Sequence, residues 1–271
     1  MGFSPQAPKQ VEGWLAQAGQ ALVSVFFPAG CRLCDALLTR ASRVPICEVC
    51  LASFLPVPTP FCSVCGQPIF TFNSTDAEMP LCRACHDHTY AFDRARSYAV
   101  YEGALVHAVL LLKFEPIFPL GEWFADRLAQ TIESHPRDFS ADVVIPVPLH
   151  PKRERARGYN QAGLIARPLA KKLHLPYRPI LLVRTRPRPE KELLSVAERW
   201  ESVRGAFATQ IGTRVDNLRV LLVDDVMTTG ATLDACTRAL RDAGAKEVIG
   251  LTVARAVRNS HPQHGFSTRD T

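Results

Sequence analysis

No run of apolar residues in this chain reaches the ~18–20 that a helix needs to cross a bilayer. A membrane-spanning helix is therefore not expected, although hydrophobic residues make up 47% of the 271. A secretory leader is lacking too. Lys9 is the one basic residue ahead of the short apolar run 21–27, and no small-residue cleavage pattern follows it. Gln6 stands where N-myristoylation at Gly2 needs Ser or Thr. These absences point to a cytoplasmic protein of globular composition. Aromatic residues are scarce at 8%, and between 151 and 214 only Tyr159, Tyr177, Trp200 and Phe207 carry rings. Base stacking there is expected to contribute little. Acid is scarce in the same segment: five Asp/Glu against fifteen Lys/Arg give +10, so the rest of a +6 chain carries −4. Such a stretch reads as a polyanion contact, a phosphate-rich site or a solvated surface.

What the chain has in quantity is paired cysteine. Eight of its nine cysteines form four CxxC pairs: Cys31/Cys34, Cys47/Cys50, Cys62/Cys65 and Cys82/Cys85. Two intervening residues let the chain turn so that both sulfurs face one ion about 2.3 Å away, and two pairs complete a tetrahedral zinc site. Gly66 suits such a turn because backbone with positive φ costs glycine little. Four disulfides would need an oxidising compartment, which the N-terminus does not suggest. Sequential pairing of the cysteines is simplest, and interleaved pairing stays open. His86 and His88 flank Cys85 and read as bystanders beside eight thiolates. Prolines at 45, 56, 58, 60, 68 and 80 make the region loop-rich, so metal should supply much of its stability. Ahead of it, 11–27 has the pattern of an amphipathic helix with Trp14, Leu15, Leu22 and Phe26 on one face, suited to docking on the rest of the chain.

From about Phe92 the pattern becomes that of an α/β domain. Apolar runs at 143–145, 180–183, 220–223 and 248–253 have the continuity of strands buried on both faces of a parallel sheet. Helical periodicity occupies 104–114, 121–134, 159–173 and 232–243, with Pro168 expected to kink the third and Gly244 to close the fourth. Cys236 falls on the apolar stripe of that last helix and reads as core. Alternation of this kind implies right-handed βαβ units.

The sharpest motif is VLLVDDVMTTGAT at 220–232. An apolar strand delivers Asp224 and Asp225 to the carboxyl edge of the sheet, where open α/β sheets bind ligands. Adjacent carboxylates there can accept hydrogen bonds from a vicinal diol. Met227, Thr228, Thr229, Gly230, Ala231 and Thr232 then form a loop at a helix start, where amides, hydroxyls and the helix dipole suit a phosphate dianion. A diol beside a phosphate describes ribose 5-phosphate.

This stretch resembles the phosphoribosyl pyrophosphate motif of type I phosphoribosyltransferases. Taken with the cysteine pairs, YEGALVHAVLLLKF at 101–114, PVPLHPKRERARGYNQAGLIA at 146–166 and RGAF at 204–207, the chain resembles the ComF family over about 11–255. The resemblance implies a type I phosphoribosyltransferase-like parallel sheet flanked by helices, preceded by a small zinc ribbon domain. It also implies zinc, magnesium and a phosphoribosyl pyrophosphate or related ligand, with Lys152 and Arg153 meeting the pyrophosphate. Transfer to an unknown acceptor and a link to natural transformation belong to the same expectation, with no catalytic residue assigned. Single-stranded DNA and a DNA-uptake helicase are the implied partners. A non-catalytic adaptor or ligand sensor acting on single-stranded DNA is the alternative. The segment 184–204 is similar to the loop that closes over such sites. It departs from the family at Arg188, Lys191 and Ser202, where Thr, Gln and Asn are usual. The expected organisation is an N-terminal helix in 1–30, a double zinc ribbon in 31–90, the α/β domain in 91–259 and a tail in 260–271.

Overall fold

A computed structural model describes residues 29–38, 42–70, 80–187, 195–210, 212–213 and 215–257. The helix expected within 11–27, positions 188 and 191 of the closing segment, and the tail 260–271 lie outside the described residues. Four strands form one parallel sheet: β1 (Arg94–Val100), β2 (Val143–Pro146), β5 (Arg219–Met227) and β6 (Glu247–Arg255), in the order β1-β6-β5-β2. Beyond β2 the sheet gains a single parallel bridge between Val144 and Tyr177. The helices are α1 (Glu48–Ala52), α2 (Arg83–His86), α3 (Gly103–Phe114), α4 (Phe118–Ser134), α5 (Pro151–Arg157), α6 (Gln161–Lys172), α7 (Val196–Glu201) and α8 (Ala231–Asp242). None of the described helices is long and apolar enough to cross a membrane.

Strand alternation divides the interior into two cores. In β5, Leu221 and Val223 point to one face and Val220 and Leu222 to the other, all essentially inaccessible. The first face packs α3, α4 and α6, with Leu112, Phe124 and Leu169 fully buried. α6 runs from Gln161 to Lys172 through Pro168. The second face packs α8 through Leu233, Cys236 and Leu240. Gly244, at φ +98°, turns the chain out of α8 toward β6, and Cys236 is wholly buried.

The run at 180–183 departs from the sequence expectation. Its strand, β3 (Leu182–Arg184), pairs antiparallel with β4 (Phe207–Thr209) in a separate two-stranded ribbon, and Ile180 is 67% exposed. The run is too short to be buried on both faces, and Tyr177 already occupies the position beside β2. One strand had no signal at all. β1 reads RARSYAV, and Arg94, Arg96 and Ser97 break the apolar pattern. Arg96 is nonetheless buried, paired with Asp138 at 2.6 Å and donating to the Ser63 carbonyl at 2.8 Å.

The cysteine-rich region packs along the outer edge of β1. Ala95 N–H donates to Val64 O at 2.7 Å, Val100 N–H donates to Leu55 O at 2.8 Å, and Pro56 bridges Ala99. Cys31, Val44, Ile46 and Phe54 join the α4/α6 core, whereas Cys62, Cys65 and Cys85 join the α8 core. The region therefore straddles the edge of the sheet.

Candidate functional site

The cysteines gather sequentially. Cys31, Cys34, Cys47 and Cys50 form one group, and Cys62, Cys65, Cys82 and Cys85 the other, with all ligand atoms of each within 4.8 Å of one another. Sulfur separations of 3.9 Å (Cys31–Cys50), 3.7 Å (Cys34–Cys47) and 3.6 Å (Cys65–Cys82) match the edge of a tetrahedron, about 3.8 Å for metal–sulfur bonds of about 2.3 Å. The donor set thus fits a tetrahedral thiolate metal. Each group is organised around the same small hairpin. Cys31 N–H donates to Ala36 O and Cys62 N–H to Gln67 O, both at 2.8 Å. The residue after each second cysteine is left-handed, Asp35 at φ 58° and Gly66 at φ 67°. Backbone amides of Leu33 and Cys47 lie 3.4 and 3.3 Å from Cys31 Sγ, as suits a thiolate. His86 and His88 are in neither group, and His86 faces Asp87.

A cleft of about 300 Å³ opens at the carboxyl ends of β2 and β5. Asp224 and Asp225 form its floor, 8% and 5% exposed. Asp225 N–H donates to Asp224 Oδ1 at 2.9 Å. Burial first, and the neighbouring Asp225 charge second, hold the Asp224 carboxyl well above the usual carboxylate range. Lys113, from the last turn of α3, lies 3.2 Å from Asp225 Oδ2. The two form an ion pair, and among the described residues Oδ2 is a buried acceptor with no hydrogen-bond donor.

Beyond the carboxylates, Thr228, Thr229, Ala231 and Thr232 line one end of the cleft at the start of α8. Gly230 caps that helix in a left-handed conformation, φ +83°, and a Cβ there would stand 2.7 Å from Tyr90 Cε1. The Tyr90 hydroxyl donates to Thr229 O at 2.9 Å. Burial and the nearby Cys65 push that phenol up to about 12. Arg199, on α7, donates to Thr228 Oγ1 at 3.0 Å. The lining holds five cations, Lys113, Arg153, Arg157, Arg184 and Arg199, against two carboxylates. That excess suits a ligand with several negative charges.

The segment after β2 builds the opposite wall. Asn160 caps α6 by accepting from Ala162 N–H, and its amide donates to Val147 O, each at 3.0 Å. Gln161 is buried and accepts from Arg157, whose guanidinium also lies 5.4 Å from the centre of the Phe114 ring. The Tyr159 hydroxyl lies 3.0 and 2.8 Å from the carbonyls of Leu112 and Glu115. It therefore fixes the turn that presents Lys113.

Of the residues expected from sequence, the cleft brings together Asp224, Asp225, Thr228, Thr229, Ala231, Thr232 and Arg153. Met227 is buried beneath the loop and Gly230 is turned toward Tyr90, while Lys152 is exposed outside the lining. Arg157 enters the lining from the end of α5, and Lys113, Arg184 and Arg199 enter it from three other elements. A basic segment was legible, but nothing in the pattern said which of its cations converge. Lys113 lies outside that segment, in an otherwise apolar helix, and that isolation was its one signal.

The phosphoribosyl transferase domain family matches residues 160–266, and the double zinc ribbon domain family matches 22–87. The chain is 28% identical over 201 residues to competence protein F of Haemophilus influenzae, covering 73% of this chain and 85% of that one. It is 29% identical over 225 residues to the DNA utilization protein YhgH of Shigella flexneri, covering 82% and 94%. To competence protein ComFC of Bacillus subtilis it is 25% identical over 257 residues, covering 83% and 95%.

Proposed function

We propose that this protein, a double zinc ribbon joined to a phosphoribosyltransferase domain, binds phosphoribosyl pyrophosphate or a closely related ribose 5-phosphate ligand in the cleft above β5. One observation carries the reading: two buried carboxylates stand beside a threonine-rich loop that opens a 12-residue helix, ringed by five cations. Asp224 and Asp225 accept from the ribose diol. The loop at Thr228–Thr232 takes the 5-phosphate at the positive end of α8. Arg153 and Arg157 meet the pyrophosphate, with Lys152 adding charge from outside the lining. Magnesium, when bound, neutralises the pyrophosphate oxygens. Zinc occupies both cysteine groups.

The names of the relatives support a role in the uptake or use of external DNA. A second reading, direct contact with single-stranded DNA, is favoured by α5, where Lys152, Arg153 and Arg155 are exposed on one short helix at the mouth of the cleft. Titration calorimetry with phosphoribosyl pyrophosphate and magnesium tests the first reading. Saturable binding that is lost in a folded Asp224→Asn, Asp225→Asn double variant supports it, and binding unaffected by the double variant overturns it. Pyrophosphate release with candidate acceptors then separates transfer from binding alone.

A further inference from the structure

The second cysteine group and the threonine loop are joined by one short piece of chain. Five residues after Cys85, Tyr90 hydrogen-bonds the Thr229 carbonyl, and its ring sits where a Cβ on Gly230 would be. The next residue, Ala91, donates its N–H to Asp234 Oδ1 at 2.7 Å, in the first turn of α8. Tyr90 also stacks between Phe92 and Trp200, with ring centres 4.7 and 6.0 Å away, and Trp200 belongs to α7, which carries Arg199. A second route runs through Arg255, 3% exposed at the end of β6. It lies 3.7 Å from Cys65 Sγ and 3.0 Å from Gln67 Oε1. Arg255 is in register with Met227, and the next amide, of Ala256, donates to Met227 O at 3.0 Å. One end of the loop 228–230 is thus held by Tyr90, five residues on from Cys85, and the other by Ala256, next to Arg255, which reaches Cys65. The first group sits on the other face of the sheet and reaches neither.

We propose that Tyr90 is a positioning residue of the threonine loop and that the Cys62/Cys65/Cys82/Cys85 group is its anchor, so that metal there, and not at the first group, holds the loop in its ligand-ready form. Metal fixes Cys82 and Cys85, these fix the turn 86–89, and that turn sets the height of Tyr90 under Thr229. Linkage is reciprocal: a ligand that orders the loop tightens the second metal site by the same factor. Only the ligand arm of this inference rests on the function proposed above.

The test compares full-length wild type with Cys34→Ser, Cys85→Ser and Tyr90→Phe by metal content and by hydrogen exchange of the amides of 228–234. Tyr90→Phe keeps the ring and loses only the hydroxyl. It should retain its metal and speed exchange in that peptide about three- to tenfold, the range expected for one lost hydrogen bond. Cys85→Ser should lose one metal and show at least as large an effect. Cys34→Ser should lose one metal and leave the peptide unchanged. Unaltered exchange in Tyr90→Phe overturns the proposal, as does equal acceleration in both cysteine variants. Should Cys85→Ser fail to fold, Tyr90→Phe decides alone. In the ligand arm, Tyr90→Phe should weaken phosphoribosyl pyrophosphate with magnesium about three- to tenfold. Should wild type not bind that probe, the functional reading falls while the exchange comparison still decides this one.

Discussion

Lys113 Nζ stands 3.2 Å from Asp225 Oδ2, bringing the last turn of α3 onto the end of β5. The carboxylate pair is therefore partly balanced before any ligand arrives. Lys113 supplies one positive charge, and burial together with the Asp225 charge holds the Asp224 carboxyl well above the usual carboxylate range. A hydroxyl-rich group such as a diol meets a floor whose charge is already partly offset, which lowers the cost of burying two acids side by side.

Removing the lysine should expose that cost. Lys113→Met leaves Asp225 buried without its counter-charge, and unfolding stability at pH 7 should drop by about 1–3 kcal/mol, below the buried-pair range because Lys113 is partly solvated. Chemical denaturation measures it, and unchanged stability in the variant would exclude this charge balance.

Asp224→Asn should act in the opposite direction on stability. The folded pKa of Asp224 is raised, so the folded state binds more protons, and wild-type stability falls as pH rises from the ordinary carboxylate range through that raised value. The variant lacks this slope and should be the more stable protein at neutral pH. It should also bind phosphoribosyl pyrophosphate about three- to tenfold more weakly, as one lost hydrogen bond implies. Melting curves across pH, paired with calorimetry, read both effects.

Metal analysis of protein purified without chelator should give about two zinc ions per chain by the four-ligand rule. Less than one ion per chain would refute zinc at both groups. A strong chelator should remove both and lower the melting temperature, because binding free energy is folding free energy in such units.

Gly66→Ala should destabilise by about 1–3 kcal/mol. Its φ is +67°, and an added Cβ would meet Ala95 O at 2.9 Å, forcing the second hairpin off β1. Gly103 also has positive φ, +54°, but nothing lies within 4 Å of its Cβ position. Gly103→Ala should therefore cost less, and a reversed order of melting temperatures would contradict the close approach.

The DNA reading makes a salt prediction. Binding of a long single strand should weaken with a log–log slope of about −0.7 per phosphate contact, and Lys152→Glu with Arg155→Glu should make the slope shallower by about one unit or more. Fluorescence anisotropy between 50 and 200 mM salt, a range of the order used for such slopes, reads it. No binding at the lower salt would move any DNA role to a partner.

The sequence made the strand–loop–helix at 220–243 legible because its signals agree: an apolar run, a turn rich in small residues, then a 3.6-residue stripe ending at Gly244. The cysteine spacing was legible for the same reason, since CxxC has little other use four times over. Sequential pairing was the simplest reading and is what the structure has, with interleaving left open because spacing fixes which sulfurs can share an ion only within a pair. β1 was illegible because an edge strand held by Arg96 to hairpin carbonyls needs no apolar alternation. Lys113 and Arg199 were unassignable because their role comes from tertiary packing that brings α3 to Asp225 and α7 to Thr228, which spacing along the chain does not encode.

The cysteine hairpins also finish the sheet. A strand at the rim of a sheet offers a row of unmatched amides and carbonyls to any other extended chain, and proteins commonly hide it. Here β1 is that rim, and Leu55, Pro56 and Val64 cover it while one cysteine group packs on each face. A fragment cut near residue 90 would keep every lining residue of the ligand cleft, lose Tyr90 behind its loop, and bare the β1 rim along with apolar surface on both sides. It would therefore self-associate in solution as well as lose the support of its threonine loop, so the boundary drawn by cysteine content is not a boundary along which the molecule can be divided.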